Sequence, residues 1–139
     1  MQRWRTMSHL TIALKIKNMR SNPLEEKTFE LAVRSVLLAK FIKDEYRDFD
    51  LASQLRRSGA APGALYREAR QAESKRDFIH KLGIGLKEAD EVLYWLKVLK
   101  ATDYISKEQH DHVAGVAIEV FKILTASIKT TKARLHNNK

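Results

Sequence analysis

Cysteine is absent from this 139-residue chain, so neither a disulfide nor a thiolate metal site can hold it together, and a reducing cytoplasm is the expected compartment. Proline occurs twice and glycine five times. With so few chain breakers, and with apolar residues at 44% and charged residues at 31%, the composition argues against a disordered or β-rich chain and for packed helices. Long apolar runs are missing too. Leu31 to Phe41 already contains Arg34 and Lys40, and no stretch approaches the roughly 20 residues that span a bilayer. The length suits one domain with a real core, and no membrane partner is expected.

Acid is missing from both ends. Residues 1–20 hold Arg3, Arg5, Lys15, Lys17 and Arg20, and residues 120–139 hold Lys122, Lys129, Lys132, Arg134 and Lys139, with no Asp or Glu in either stretch. The other 16 basic residues face all 17 acids in between, so the net charge of +9 is owed to the ends. The run Leu10 to Leu14 follows early arginines as a signal peptide would, but it spans five residues, Lys15 and Lys17 break it, and no small-residue cleavage pattern follows. Residues 1–20 are therefore read as a basic N-terminal extension. Met19 stands just ahead of the first helix start, so residues 1–18 are expected to be either a flexible arm or sequence upstream of the true start.

What is present is a series of helix signals. Asn22-Pro23-Leu24-Glu25 offers a cap, a proline at the first helical position and an acid in the first turn. Phe29, Val33, Val36, Leu37 and Phe41, with Ala32 and Ala39, then recur at helical spacing and are expected to enter the core. Asp48 or Asp50 caps a second helix carrying Leu51, Leu55, Leu65 and Ala69, with the small-residue run Ser58-Gly59-Ala60-Ala61-Pro62-Gly63-Ala64 in its middle. Pro62 removes one backbone donor and crowds the carbonyl of Ser58; a continuous helix kinked near Pro62 is preferred to a break there. Ser74 to Asp77 has capping-box spacing. Behind it Leu82, Gly85, Ala89, Val92, Leu96 and Leu99 alternate steps of three and four, with Ile79, Leu86 and Leu93 as a second row. Ser106 to Gln109 opens a fourth helix lined by Val113, Ala117, Val120, Leu124 and Ile128, expected to fray through Thr130 and Thr131. The expected fold is all-α, an antiparallel up-and-down four-helix bundle over residues 21–130 with a basic C-terminal tail over residues 131–139.

Catalytic constellations are not found, and no catalytic residue, cofactor or metal is expected. There is no Walker loop, no G-x-S-x-G and no H-E-x-x-H. His110 and His112 are two apart, which points them about 200° from each other on a helix. Glu88 and Glu91, beside Arg56 and Arg57 of the second helix, are read as charge satisfaction at the bundle edge or between subunits. Tyr94 and Trp95 are read as core and interface rather than as a base-stacking platform, and Gly59 to Ala64 as a close-approach surface. If the second helix is continuous, Arg56, Arg67 and Arg70 fall within about 60° of one another. They then form a candidate phosphate track, against a bland alternative of pairing with Glu68 and Glu73. Lys129, Lys132 and Arg134, with Lys139, form a second candidate for nucleic-acid contact.

The strings Glu26-Lys27-Thr28-Phe29-Glu30-Leu31-Ala32, Gln54-Leu55-Arg56-Arg57-Ser58, Glu73-Ser74-Lys75-Arg76-Asp77-Phe78-Ile79-His80-Lys81-Leu82 and Lys87-Glu88-Ala89-Asp90-Glu91, with Tyr94-Trp95-Leu96, resemble a bacterial four-helix-bundle family. That family was first named for proteins encoded in intervening sequences of 23S ribosomal RNA genes. The resemblance spans about residues 20 to 130. It implies a ring-like homopentamer, and a relationship to the accessory variability proteins of diversity-generating retroelements, which bind a reverse transcriptase and nucleic acid. The family supplies no catalytic residues. Where many members read closer to I-x-x-N-I-A-E, this chain has Leu65, Arg67 and Glu68, so nothing tied to that segment is carried over. The expected function is a non-enzymatic oligomeric scaffold that contacts RNA or a nucleic-acid enzyme through basic surface. The alternative is a structural or protein-binding oligomer with no nucleic-acid role.

Overall fold

Four hydrogen-bonded caps set where the helices begin. In the computed structural model, which describes residues 22–137, Asn22 Oδ1 accepts from the Glu25 amide at 2.9 Å and opens α1 (Pro23–Tyr46). Arg47, in the left-handed region at φ 55°, ends α1 by donating its amide to the Lys43 carbonyl. Asp48 then caps α2 (Phe49–Ala69) through the Leu51 amide at 3.0 Å. Ser74 caps α3 (Lys75–Ala101) through the Asp77 amide. Ser106 and Gln109 satisfy each other at the start of α4 (Lys107–Asn137), the serine hydroxyl accepting from the Gln109 amide and the Gln109 Oε1 from the Ser106 amide. The basic extension expected over residues 1–20, and Lys139, lie outside the described residues.

Each helix packs on the next and α1 closes against α4, with no packing across either diagonal among the described residues. Along the seams, the partner's numbers fall as those of the first helix rise. Glu25, Thr28 and Ser35 of α1 meet Arg70, Gly63 and Gly59 of α2, and Lys27 and Arg34 meet Glu119 and His112 of α4. The centre is filled by Leu31, Ile42, Leu55, Leu82, Leu96, Leu99 and Leu124 with Val92, Val113 and Val120, all fully buried. The α3 row from Leu82 to Leu99 lies wholly inside, as its spacing predicts. No helix among the described residues is long and apolar enough to cross a membrane.

The structure corrects the sequence reading of α1. Phe29 and Val36 are 40% and 41% exposed, and Ala32, Val33 and Leu37 are only half-buried. Of the residues expected inside, Phe41 and Ala39 are buried; the rest of the inward face is Leu24, Thr28, Leu31, Ser35, Leu38 and Ile42. The reason is steric. A Cβ on Gly59 would overlap the Cβ and Oγ of Ser35, and one on Gly63 would lie 3.5 Å from Thr28. The first contact leaves room only for a small side chain at Ser35, while the second is ordinary packing, so α1 turns the stripe with Ser35 and Thr28 inward and its bulky Phe29 and Val36 out. Thr28 tolerates burial because its Oγ1 donates to the Leu24 carbonyl at 2.8 Å.

Two further points concern continuity, the first as expected and the second not. α2 passes through Pro62 as one helix, and Pro62 is buried against Gly85 of α3, where a Cβ would stand 3.7 Å from its Cα. α4 does not fray at Thr130 but continues to Asn137, so residues 131–137 of the expected tail are helical. Thr125 and Thr131 donate their hydroxyls to the carbonyls four residues back, at 2.8 Å each, so both hydroxyls are satisfied within the helix. Arg134 and His136 then sit in the last turn, where the helix dipole favours positive charge.

Candidate functional site

The continuity of α2 decides where the first set of arginines stands. Arg56, Arg67 and Arg70 are all exposed, on one outward stripe of a single helix. Their surroundings differ. Arg70 Nη1 lies 3.3 Å from Glu25 Oε1, and its guanidinium sits 6.0 Å from the centre of the Tyr66 ring. Arg56 reaches Ser53 Oγ at 3.5 Å, while Arg67 stands at the rim of a depression described below. The bland alternative for these arginines also changes partner: Arg70 is met by Glu25 of α1, and Glu68 instead faces Lys81 of α3 at 3.7 Å.

Lys129, Lys132 and Arg134 are likewise exposed, on the last turns of α4. They are not one cluster. Arg134 lines a shallow groove of about 510 Å³ with Phe78, Ile123 and Thr130, whereas Lys129 and Lys132 are on the outward side. The α2 and α4 sets are not brought together, because those two helices do not pack on each other.

The surface that sequence reasoning missed lies between α1 and α2. Phe29, Ala32, Ala60, Gly63 and Ala64 line a depression of about 180 Å³ with Glu25, Tyr66 and Arg67 around it. Val33 and Val36 continue its apolar floor along the outside of α1. The small-residue run serves two faces at once: Gly59 and Gly63 admit α1, and Ala60 and Ala64 leave the outside low. A signal was available, since α1 carries two apolar stripes rather than one, but choosing between them requires knowing what α2 presents.

Elsewhere the ionisable groups are engaged with near neighbours, except that Glu88 faces a like charge and Arg34 Nε is buried with no hydrogen-bond partner among the described residues. Burial, then the neighbouring Glu91, pushes the Glu88 carboxyl above its usual range against the opposing pull of Arg57. Glu91 accepts from the Trp95 indole at 3.1 Å, and Tyr94 is 59% exposed with its ring edge-on to Trp95. His110 and His112 diverge as their spacing requires. His110 faces Asp111 at 2.8 Å; Lys107, then His110, holds the Asp111 carboxyl down at about 2. His112 reaches across to α1, where Arg34 donates to its carbonyl at 2.8 Å and lies 3.1 Å from its Nδ1. Arg34 also pairs with Glu30 at 2.7 Å, and the bond to Glu119, then the nearby Glu30, raises the Lys27 pKa against the opposing effect of burial. Among the described residues, no three His, Asp or Glu side chains converge into a metal cage.

Comparison with known proteins bears on this bundle as a whole. The family model described as 23S rRNA-intervening sequence protein matches residues 20–126. Among solved structures, a protein with unknown function from the S23 ribosomal protein family of Bacteroides thetaiotaomicron is similar, with 45% identity and a TM-score of 0.74. The match covers 76% of this chain and 98% of that one. No curated protein matches. The family match stops short of Lys129, Lys132 and Arg134.

Proposed function

We propose, from the premise that this chain belongs to the 23S rRNA-intervening sequence protein family, that it is a non-enzymatic helical scaffold. Its copies join through the outward face of α1 and leave basic surface free for RNA or for a nucleic-acid enzyme such as a reverse transcriptase. The observation that carries this reading is the second apolar stripe of α1. A helix that is apolar on two sides is suited to lie between its own bundle and another body. Phe29 and Val36 stand out from the bundle, and the neighbouring Ala60, Gly63 and Ala64 present little side chain, so a helix of another copy can come close. Burying one such large side chain contributes about 1.5 to 3 kcal/mol, less for one already half-covered, and a ring repeats that gain at every contact. A ring of five is the assembly the resemblance implies, and the cytoplasm its working compartment.

Sedimentation at micromolar concentration tests the proposal. The expected mass is several times the 16.0 kDa of one chain. Phe29→Glu combined with Val36→Glu should reduce it to one chain with helicity intact by circular dichroism. A wild-type protein that sediments as a single chain refutes the reading. The second reading, an oligomer that is structural or protein-binding only, is favoured by the engagement of Arg70 with Glu25 and Tyr66. Nucleic-acid binding measured over a salt series separates the two, because an assembled protein without salt-sensitive binding leaves only the second.

A further inference from the structure

We infer that the last turns of α4 form a rigid cationic ridge that binds the phosphodiester backbone of a nucleic-acid duplex through Lys122, Lys129 and Lys132. This rests on the nucleic-acid reading above and narrows it to one surface and one class of ligand. The sequence suggests a helix that frays from Thr130 into a basic tail; the structure continues it through Lys132 to Asn137. At about 100° per residue the three lysines fall within about 80° of one another, with His136 in the same sector. All three are exposed. No acid follows Glu119 in the chain, and Glu119 is itself held by Lys27 at 2.9 Å. Among the described residues no carboxylate pairs with any of the three lysines.

The helix dipole accounts for only part of this pattern. Its pull on positive charge is confined to the last turn, and Lys129 and Lys122 stand about two and four turns inside Asn137. The choice of a duplex follows from what accompanies the charges. Single-strand surfaces interleave aromatic rings on which bases stack, and no Phe, Tyr or Trp follows Phe121 in this chain. A straight row of lysines about 15 Å long instead matches a stiff backbone carrying one negative charge per roughly 1.7 Å of duplex axis. Contacts of this kind position a duplex without reading its sequence. An anionic membrane is the poorer match, because a surface-lying helix needs an apolar flank beside its basic face. Here Ile123 and Ile128 are half-buried against the core, and Ile118 is the single large apolar side chain this helix leaves exposed among the described residues.

Fluorescence anisotropy with the full-length protein tests the inference, using a blunt RNA duplex, a DNA duplex of the same length, single-stranded RNA and anionic vesicles. Three phosphate contacts predict a log–log salt slope near −2.7 on the duplex, about a 40-fold loss of affinity per chain between 50 and 200 mM salt. Each Lys→Ala change at 122, 129 or 132 should lower the slope by about 0.9. The same number of charges removed from α3, at Lys87, Lys97 and Lys100, should leave it unchanged. Thr130→Pro keeps every charge but breaks the helix between Lys129 and Lys132, and should weaken duplex binding at least fivefold. Duplex binding that survives loss of the three lysines, or is indifferent to Thr130→Pro, overturns the ridge and leaves the scaffold reading standing. Equal or stronger binding to single strands or vesicles overturns the choice of duplex. A wild-type protein with no salt-sensitive binding to any nucleic acid removes both the ridge and the nucleic-acid half of the proposed function.

Discussion

Gly59→Ala is the sharpest perturbation the α1–α2 seam allows. The new methyl would overlap both Cβ and Oγ of Ser35, a side chain with no exposure at all. Rotating the serine hydroxyl moves Oγ but leaves its Cβ in place, so the two helices must part. Alanine in a helix interior is favoured over glycine by about 1 kcal/mol, and overpacking a well-packed contact costs about 1 to 3 kcal/mol. Because the overlap involves two carbons fixed to their backbones, the upper end of that range applies, and the net loss should be about 2 kcal/mol. In a domain of this size that lowers the melting temperature by about 8 °C. Gly83→Ala and Gly115→Ala are the controls. Nothing stands within 4 Å of either new methyl, so both should stabilise by about 0.5 to 1 kcal/mol. Ser35→Gly in the Gly59→Ala background removes the obstacle and should recover part of the loss, with a coupling of about 1 to 2 kcal/mol. Urea denaturation of the wild type, these four variants and Ser35→Gly alone, six proteins at one fixed concentration, reads all of these values. If Gly59→Ala proves as stable as Gly83→Ala, or shows no coupling to Ser35→Gly, then close approach does not explain why α1 turns its small polar residues inward.

Asp48→Ala should cost about 2 kcal/mol by denaturation. It removes the cap of α2, worth about 1 kcal/mol, and leaves the Tyr104 hydroxyl, which donates to Asp48 Oδ2 at 2.9 Å, without its charged partner; a loss below 0.5 kcal/mol contradicts both roles. Glu88→Gln tests the sign of a raised pKa. Folding raises the Glu88 pKa, so the folded state holds this proton more tightly than the unfolded chain, and stability falls as pH rises through the raised value. Glu88→Gln should therefore melt higher than wild type at pH 7, with the gap closing as pH falls through the raised value and the wild-type carboxyl takes up its proton; a lower melting temperature at pH 7 would falsify the assignment.

Much of the bundle is legible in short stretches of chain. Asn22, Ser74 and the Ser106–Gln109 pair bond to amides three residues away, and the α3 row repeats on one stripe only, so local chemistry and periodicity suffice for each. The candidate basic residues were legible as charge, and Arg56, Arg67, Arg70, Lys129, Lys132 and Arg134 are all exposed. Their partners were not: Arg70 meets Glu25, 45 positions away, and no local pattern selects it over Glu68 or Glu73.

By itself, then, the sequence determined the helix starts, the all-helical class, the membership in one bundle family and the concentration of positive charge at the ends. Tertiary structure alone decided which stripe of α1 faces inward, because that choice depends on Gly59 arriving from another helix and leaving space only for a side chain as small as Ser35. It also decided that Lys129, Lys132 and Arg134 stand on a helix that runs to Asn137: packing of Ile128 against the core holds α4 in place at the point where its sequence suggests an end.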